Sequence, residues 1–460
     1  MVLLTAFAVA PEASDHPIIH HYEVKQAFLC LEFLQTNRDH TLTSMQILTV
    51  LFLLLLLSEV MTRLWLARRQ IRHVLAHRQQ VPVEFRGRIG LQSHQRAAHY
   101  TADRARLTIA EVIFDAVILL ALTLGGGLQL IAERSLAAFG QGLGSDLMLV
   151  GSVVILLGVL HLPFTVYRQF VLEARYGFNR MTPKLFIIDT VKGTAIAALL
   201  GLPVLALILW LMQSAGQTWW ILAWLVWAGF NLLIMLIFPT WIAPLFNKFT
   251  PLEDPSLQDR IESLASRCNF SIQGLFVMDG SKRSAHGNAY FTGFGKSRRI
   301  VFFDTLLSKL SAQEIEAVLA HELGHFKHRH IIKRIILNLA AALLFFAALG
   351  WLASQPWFYL GLGVSTPQTG TVGGIALLLF FMVVPVFTFW FTPAMNWLSR
   401  KDEFEADQFA AQQSDANQLV SALVKLFDDN AATLTPDPLH SAFYDSHPPA
   451  AIRIRHLAHT

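Results

Sequence analysis

Charged residues are scarce in this chain. Asp, Glu, Lys and Arg make up 15% of its 460 residues and 54% are hydrophobic, against a charged share of about 25% in soluble proteins. An ordinary soluble domain is therefore excluded, and an integral membrane protein is implied. Cysteine is scarcer still. Cys30 and Cys268 are the only two and lie far apart, which excludes a disulfide framework, a thiolate metal cluster and a Cys-x-x-Cys redox pair. Any bound metal must be held by histidine and carboxylate. The net charge of +4 would suggest nucleic acid in a soluble protein, but here the basic residues gather between apolar runs, as cytoplasmic loops do. No nucleic-acid partner is implied; the lipid bilayer is.

What the chain has in abundance is long apolar sequence. Seven runs, at residues 46–67, 107–132, 147–168, 185–213, 219–243, 331–353 and 372–398, are each long enough for a hydrocarbon core of about 30 Å, which takes roughly 20 helical residues. The fourth contains Gly201 and Pro203 and is expected to kink or tilt. From Arg63 to Arg106 the chain holds arginines 63, 68, 69, 72, 78, 86, 88, 96, 104 and 106 against only Glu84 and Asp103, so the loop at 68–106 is expected in the cytoplasm. Alternation returns residues 244–330 and everything after 398 to that same side. The expected organisation is five membrane helices over 45–243, a soluble segment over 244–330, two more helices over 331–398 and a C-terminal segment over 399–460. Residues 1–44 make a poor signal peptide, with no basic stretch ahead of the apolar residues 2–10. Met45 directly precedes the first run and is the expected start, so residues 1–44 form an extension of doubtful authenticity with no assigned function.

Within 244–330, residues 275–278, 289–294 and 299–303 read as short strands broken by glycines. A capping-box pattern, Ser311 with Glu314 three positions on, then starts a helix that is expected to run through His330 into the sixth apolar run. That helix carries His321-Glu322-Leu323-Gly324-His325. Residues four apart share a helical face, so both imidazoles can reach one metal while Glu322 stands beside an open coordination position as a general base. A catalytic zinc site takes a third protein ligand, and Glu403, just after the seventh run, is the leading candidate. Asp407, one turn on, can accept a hydrogen bond from the non-ligating nitrogen of a zinc histidine. On spacing alone, a solvated acidic turn is an equal reading of this pair. Glu405 points elsewhere and is expected to be solvated only.

Taken together, these residues resemble the integral-membrane CAAX prenyl endopeptidases, zinc metallopeptidases of the gluzincin type. The resemblance is carried by residues 173–179 (Glu-Ala-Arg-Tyr-Gly-Phe-Asn), 244–252 (Pro-Leu-Phe-Asn-Lys-Phe-Thr-Pro-Leu), 280–305, 321–325, 403–407 and His447-Pro448-Pro449. It implies seven membrane helices enclosing a chamber, with a cytoplasmic-side gluzincin-like zinc domain containing a small β-sheet. It also implies one Zn2+ per chain held by His321, His325 and Glu403, with Glu322 as the base. Asn288, Ala289 and Tyr290 would hold a peptide substrate along an edge strand. His447 would donate to the tetrahedral oxyanion with Arg453 nearby, although a lone His-Pro-Pro is more often a surface turn. His328, His330, His440, His456 and His459 match no role and are expected at the surface. Lys282, Arg283, Lys296, Arg298 and Arg299 are expected to form a solvated rim. The implied activity is endoproteolysis of CAAX-type C-termini, prenylated or not, or of other membrane-associated peptides. The C-terminus lacks a Lys-Asp-Glu-Leu signal, which favours a bacterial plasma membrane; in a eukaryote, the endoplasmic reticulum is expected.

Three other readings compete. A heat-shock-type quality-control peptidase shares the zinc motifs but has fewer spans. A membrane zinc transporter would carry its ligands inside the hydrocarbon runs, whereas these lie outside them. A catalytically silent scaffold would have lost a motif residue, and none is lost.

Overall fold

The computed structural model describes the backbone of residues 17–292, 299–365 and 372–458, and side chains from residue 43 onward apart from those of residues 292 and 372. Of the residues ahead of the start expected at Met45, 1–16 lie outside this description and 17–42 are described by their backbone alone. The membrane part comprises α1 (Pro17–Ala76), α2 (Leu91–Leu122), α3 (Gly127–Phe139), α4 (Leu143–Tyr167), α5 (Pro183–Ser214) and α6 (Trp219–Ile237). Six stretches are long and apolar enough to cross a bilayer: Thr43–Ala76, Leu143–Glu173, Pro183–Ser214, Gly216–Leu245, His330–Leu352 and Gly373–Gln413. The pair α2 and α3 makes a seventh, bent by 52°.

That bend has a local cause. Gly126 sits at φ +77°, and a Cβ on Gly125 would lie 2.7 Å from the Ala121 carbonyl oxygen, so only glycine tolerates this turn. By contrast α5 runs unbroken from Pro183 to Ser214 through Pro203. The span core is apolar and interlocked: Phe52, Leu128, Val153, Leu379 and Leu362 are all wholly or almost wholly buried.

The segment between the fifth and sixth spans carries α7 (Pro255–Arg267), α8 (Asp304–Leu307) and α9 (Ala312–Lys327), and α10 (His330–Leu352) is the span that follows. Four strands, β1 (Phe249–Pro251), β2 (Gly274–Met278), β3 (Ala289–Thr292) and β4 (Arg299–Phe303), form one sheet in the order β1-β2-β4-β3. β1 pairs antiparallel with β2, β2 parallel with β4, and β3 antiparallel with β4, Ala289 opposite Phe302. Among the described residues β3 is therefore an edge. The remaining helices are α11 (Pro356–Gly361), α12 (Val372–Thr388), α13 (Thr392–Gln413), α14 (Ala416–Asp429), α15 (Pro438–Tyr444) and α16 (Ala450–Leu457). Ile300 and Phe302 of β4, Ile261 and Leu264 of α7, Leu319 and Leu323 of α9 and Leu419 and Ala422 of α14 share one core. Each fully buried large side chain there contributes about 1.5–3 kcal/mol, which locks α9 onto the sheet.

The capping box is formed as the sequence predicts. Ser311 Oγ accepts from Glu314 N–H, and Glu314 Oε2 accepts from Ser311 N–H at 2.7 Å. The other end of α9 departs from expectation. The helix stops at Lys327, Arg329 adopts a left-handed φ of 56°, and α10 starts afresh at His330. This break turns His330 back toward α9 instead of carrying it onward along one continuous surface.

Candidate metal centre

Two helices build the site. α9 presents His321, Glu322 and His325, and α13 crosses it at Gly324, where an added Cβ would lie 2.9 Å from Ala406 Cα and 3.1 Å from its carbonyl oxygen. The glycine of the motif thus lets the backbones meet, and that approach sets Glu403, 3% exposed, opposite both imidazoles. His321 Nε2 lies 3.4 Å from Glu403 Oε2, and His325 Nε2 lies 3.4 Å from Glu403 Oε1. Glu403 Oε2 is buried without a hydrogen-bond partner.

These atoms fit a metal. One ligand atom from each of the three residues lies within 4.8 Å of the others. Two atoms that each stand about 2.0–2.2 Å from one tetrahedral ion are about 3.4 Å apart, the spacing found. The tautomers fit as well. A carboxylate only accepts, so Asp407 Oδ1, 2.9 Å from His321 Nδ1, fixes the proton on Nδ1 and leaves the Nε2 lone pair free toward Glu403. On His325 the same result arises through a relay. Glu405 Oε2 takes a hydrogen from His330 Nε2 at 3.1 Å, so the Nδ1 of neutral His330 accepts from His325 Nδ1 at 3.0 Å. Both histidines therefore present a free Nε2.

His330 and Glu405 are the residues that sequence reasoning missed. His330 is not at the surface; it is 1% exposed, and Glu405 is its partner rather than a merely solvated group. The signal was there only in part: a histidine five residues past the motif reaches back only because the helix breaks at Arg329. His440 is half-buried, with Nδ1 shielded and unpartnered, whereas His328 is exposed. His459 lies outside the described residues.

Arg453, on α16, approaches from behind the ligands. It is buried, donating from Nε to Asp407 Oδ2 at 2.8 Å and from a terminal nitrogen to Oδ1 at 2.5 Å, with Glu403 Oε2 at 3.6 Å. Burial alone would push the His321 pKa down, but the Asp407 and Glu403 carboxylates outweigh it and hold it above the ordinary range. His447 reaches the front, with Nε2 3.3 Å from Glu403 Oε1 and most of its side chain exposed. Glu322 is half-buried beside the ligands.

Asn288, Ala289 and Tyr290 lie at the start of edge strand β3. Asn288 is exposed, and its side-chain oxygen accepts from Ala289 N–H at 2.8 Å. The basic rim is only partly solvated. Arg283 is a clamp: it pairs with Asp189 at 2.8 Å, donates to Asn247 Oδ1 at 2.8 Å and to the Phe246 carbonyl at 2.6 Å, tying α5 to the loop before β3. Lys282 and Arg299 are exposed as expected; Lys296 and Arg298 lie outside the described residues.

Comparison with known proteins bears directly on this arrangement. Residues 251–460 match peptidase family M48, and residues 70–248 match the family described as CAAX prenyl protease N-terminal, five membrane helices. A CAAX prenyl protease 1 homolog of Arabidopsis thaliana is 41% identical over 298 residues, covering 65% of this chain and 69% of that protein. The chain belongs to peptidase family M48. A mouse CAAX prenyl protease 1 homolog is 31% identical over 441 residues, covering 85% of this chain and 91% of its own. The crystal structure of S. mikatae Ste24p superposes with a TM-score of 0.83 at 30% identity, covering 89% of this chain and 99% of that one. As an M48 member with six to seven spans, the chain is a multi-pass membrane metalloendopeptidase.

Proposed function

We propose that this M48 peptidase cleaves CAAX-type C-terminal peptides with one Zn2+ per chain, held by His321, His325 and Glu403. The observation that carries this reading is the buried, unpartnered Glu403 Oε2 facing His321 Nε2 at 3.4 Å, next to an edge strand that can accept a peptide. The relatives named CAAX prenyl protease 1 support the substrate class. Zinc, when bound, polarises the scissile carbonyl and lowers the pKa of a coordinated water to about 7. Glu322 accepts the proton of the attacking water and returns it to the leaving amine. His447, exposed at the front of Glu403, donates to the developing oxyanion. Arg453 and Asp407 act through His321, fixing its tautomer. β3 adds the substrate as a further strand, with Asn288 on the substrate backbone. The basic loop 68–106 supports a cytoplasmic position for the site.

The test is Glu322→Gln. It should retain zinc at wild-type stoichiometry in metal analysis while peptide cleavage falls by at least about a thousandfold, the scale on which a general base and its water positioning act together. Cleavage near the wild-type rate would remove Glu322 from the mechanism.

A further inference from the structure

The motif at residues 173–179 carries family resemblance, yet none of its residues touches the metal ligands. Two residues it packs against, Tyr100 and His286, line a cavity of about 920 Å³ together with Arg104, Asn288, Phe303 and His447. Tyr100 OH donates to Glu173 Oε1 at 2.6 Å, Phe178 stacks on His286 with ring centroids 4.3 Å apart, and Arg96 covers Phe178. The backbone joins in: Ala285 N–H donates to the Phe178 carbonyl and Arg180 N–H to that of Arg283. The segment leading into β3 is thereby fixed against α2. His286 is held on both nitrogens, with Nδ1 2.9 Å from Asn430 Oδ1 and Nε2 3.5 Å from Glu173.

Arg104 is different. On α2, Tyr100, Thr101, Arg104, Ala105 and Thr108 line the cavity, at the spacing of one helical face. The Arg104 guanidinium lies 5.5 Å from the Tyr100 ring centroid, is solvent-accessible, and forms no ion pair among the described residues. The acidic group in the lining is Asp445, beside His447, and Glu173 lies behind Tyr100.

Strand direction says which part of a substrate meets this cavity. A peptide added antiparallel to β3 runs opposite to 289→292, so its C-terminal residues pass Asn288 and continue toward Gly287 and His286, which line the cavity, whereas its N-terminal part lies along 290–292. We infer that this cavity receives the released C-terminal tripeptide and that Arg104 binds its terminal α-carboxylate. The inference rests on the reading above that a CAAX-type peptide lies on β3. Three extended residues reach about 10 Å, and Arg matches a carboxylate with two parallel N–H donors. Arg104 is thus a specificity residue for chains that end where a CAAX peptide ends.

The experiment compares one CAAX-type peptide bearing a free C-terminal carboxylate with its C-terminal amide, using the full-length zinc-loaded enzyme. Wild type should favour the acid in kcat/KM by on the order of tenfold, mostly through KM. Arg104→Ala should bring that ratio close to unity, and Arg104→Lys should retain part of it. Arg106→Ala, which removes a cation paired with Asp103 at 2.5 Å and facing away from this cavity, should preserve the ratio. Equal use of acid and amide by wild type overturns the assignment, as does an unchanged ratio in Arg104→Ala. Cleavage of neither peptide by wild type would instead overturn the proposed substrate class, and the assignment with it.

Discussion

Replacing Arg453 by Met isolates the buried charge behind the metal centre. Asp407 is 0% exposed, Glu403 3% and Arg453 6%. In the metal-free protein Arg453 is the cation that both carboxylates share, through two hydrogen bonds to Asp407 and a 3.6 Å approach to Glu403. Removing one partner of such a buried pair leaves an uncompensated charge and costs about 3–5 kcal/mol, roughly a hundred- to several-thousandfold in the folded-to-unfolded ratio. Most of that loss belongs to the abandoned carboxylate, so Arg453→Met/Asp407→Leu should recover much of it. It should not restore metal binding, because His321 Nδ1 then has no acceptor and affinity falls about 10- to 100-fold. Arg453→Lys keeps the charge but loses the planar fork and should fall between wild type and Met. The assay is unfolding of chelator-treated protein in detergent, paired with zinc retention at a fixed free-zinc concentration. A single Arg453→Met within about 0.5 kcal/mol of wild type, or a double variant no more stable than the single, would refute the argument.

If His325 holds the metal as proposed, His330→Ala should lower zinc affinity about 10- to 100-fold in chelator competition, since it removes the acceptor that keeps the His325 proton on Nδ1; unchanged affinity would show the relay to be idle. Glu314 accepts from Ser311 N–H at 2.7 Å, Ser421 Oγ at 2.7 Å and Lys425 Nζ at 2.8 Å. Burial raises its carboxyl, but these partners prevail and hold its pKa below the ordinary value. A depressed folded pKa contributes stability that is present above the unfolded value of about 4.3 and lost as pH falls through the folded one. Glu314→Gln should therefore destabilise α9 by about 1.5–3 kcal/mol at pH 7 and by less in acid, and a pH-independent loss would contradict this.

Much of the site was legible in the linear chain because its parts are local. The spacing of His321, Glu322 and His325 on one helical face, the cap formed by Ser311 and Glu314, and the apolar runs each depend on residues within a few turns of one another. Glu403 and Asp407 were recoverable from the i,i+4 rule once a partner for the histidines was sought. Relations that cross elements were not legible. Arg283 was expected in solvent, yet its neighbours Asp189 and Phe246 come from separate stretches that only folding brings together. The second span reads as one run, but Gly125 and Gly126 bend it. Periodicity carried α9 through His330, whereas the left-handed Arg329 ends the helix and converts a supposed surface histidine into the buried support of His325.

Sequence by itself therefore determined the membrane class and the spacing of the candidate metal ligands on α9, because composition and helical spacing depend on nearby residues alone. Tertiary structure decided how those ligands are held and what surrounds them. Gly324 lets two helices approach closely enough to oppose Glu403 to both imidazoles, and a helix break aims His330. The segment 173–179 fastens α2 beside the edge strand. Each is a packing relation between residues distant in the chain, set by steric fit and by the need to partner every buried charge.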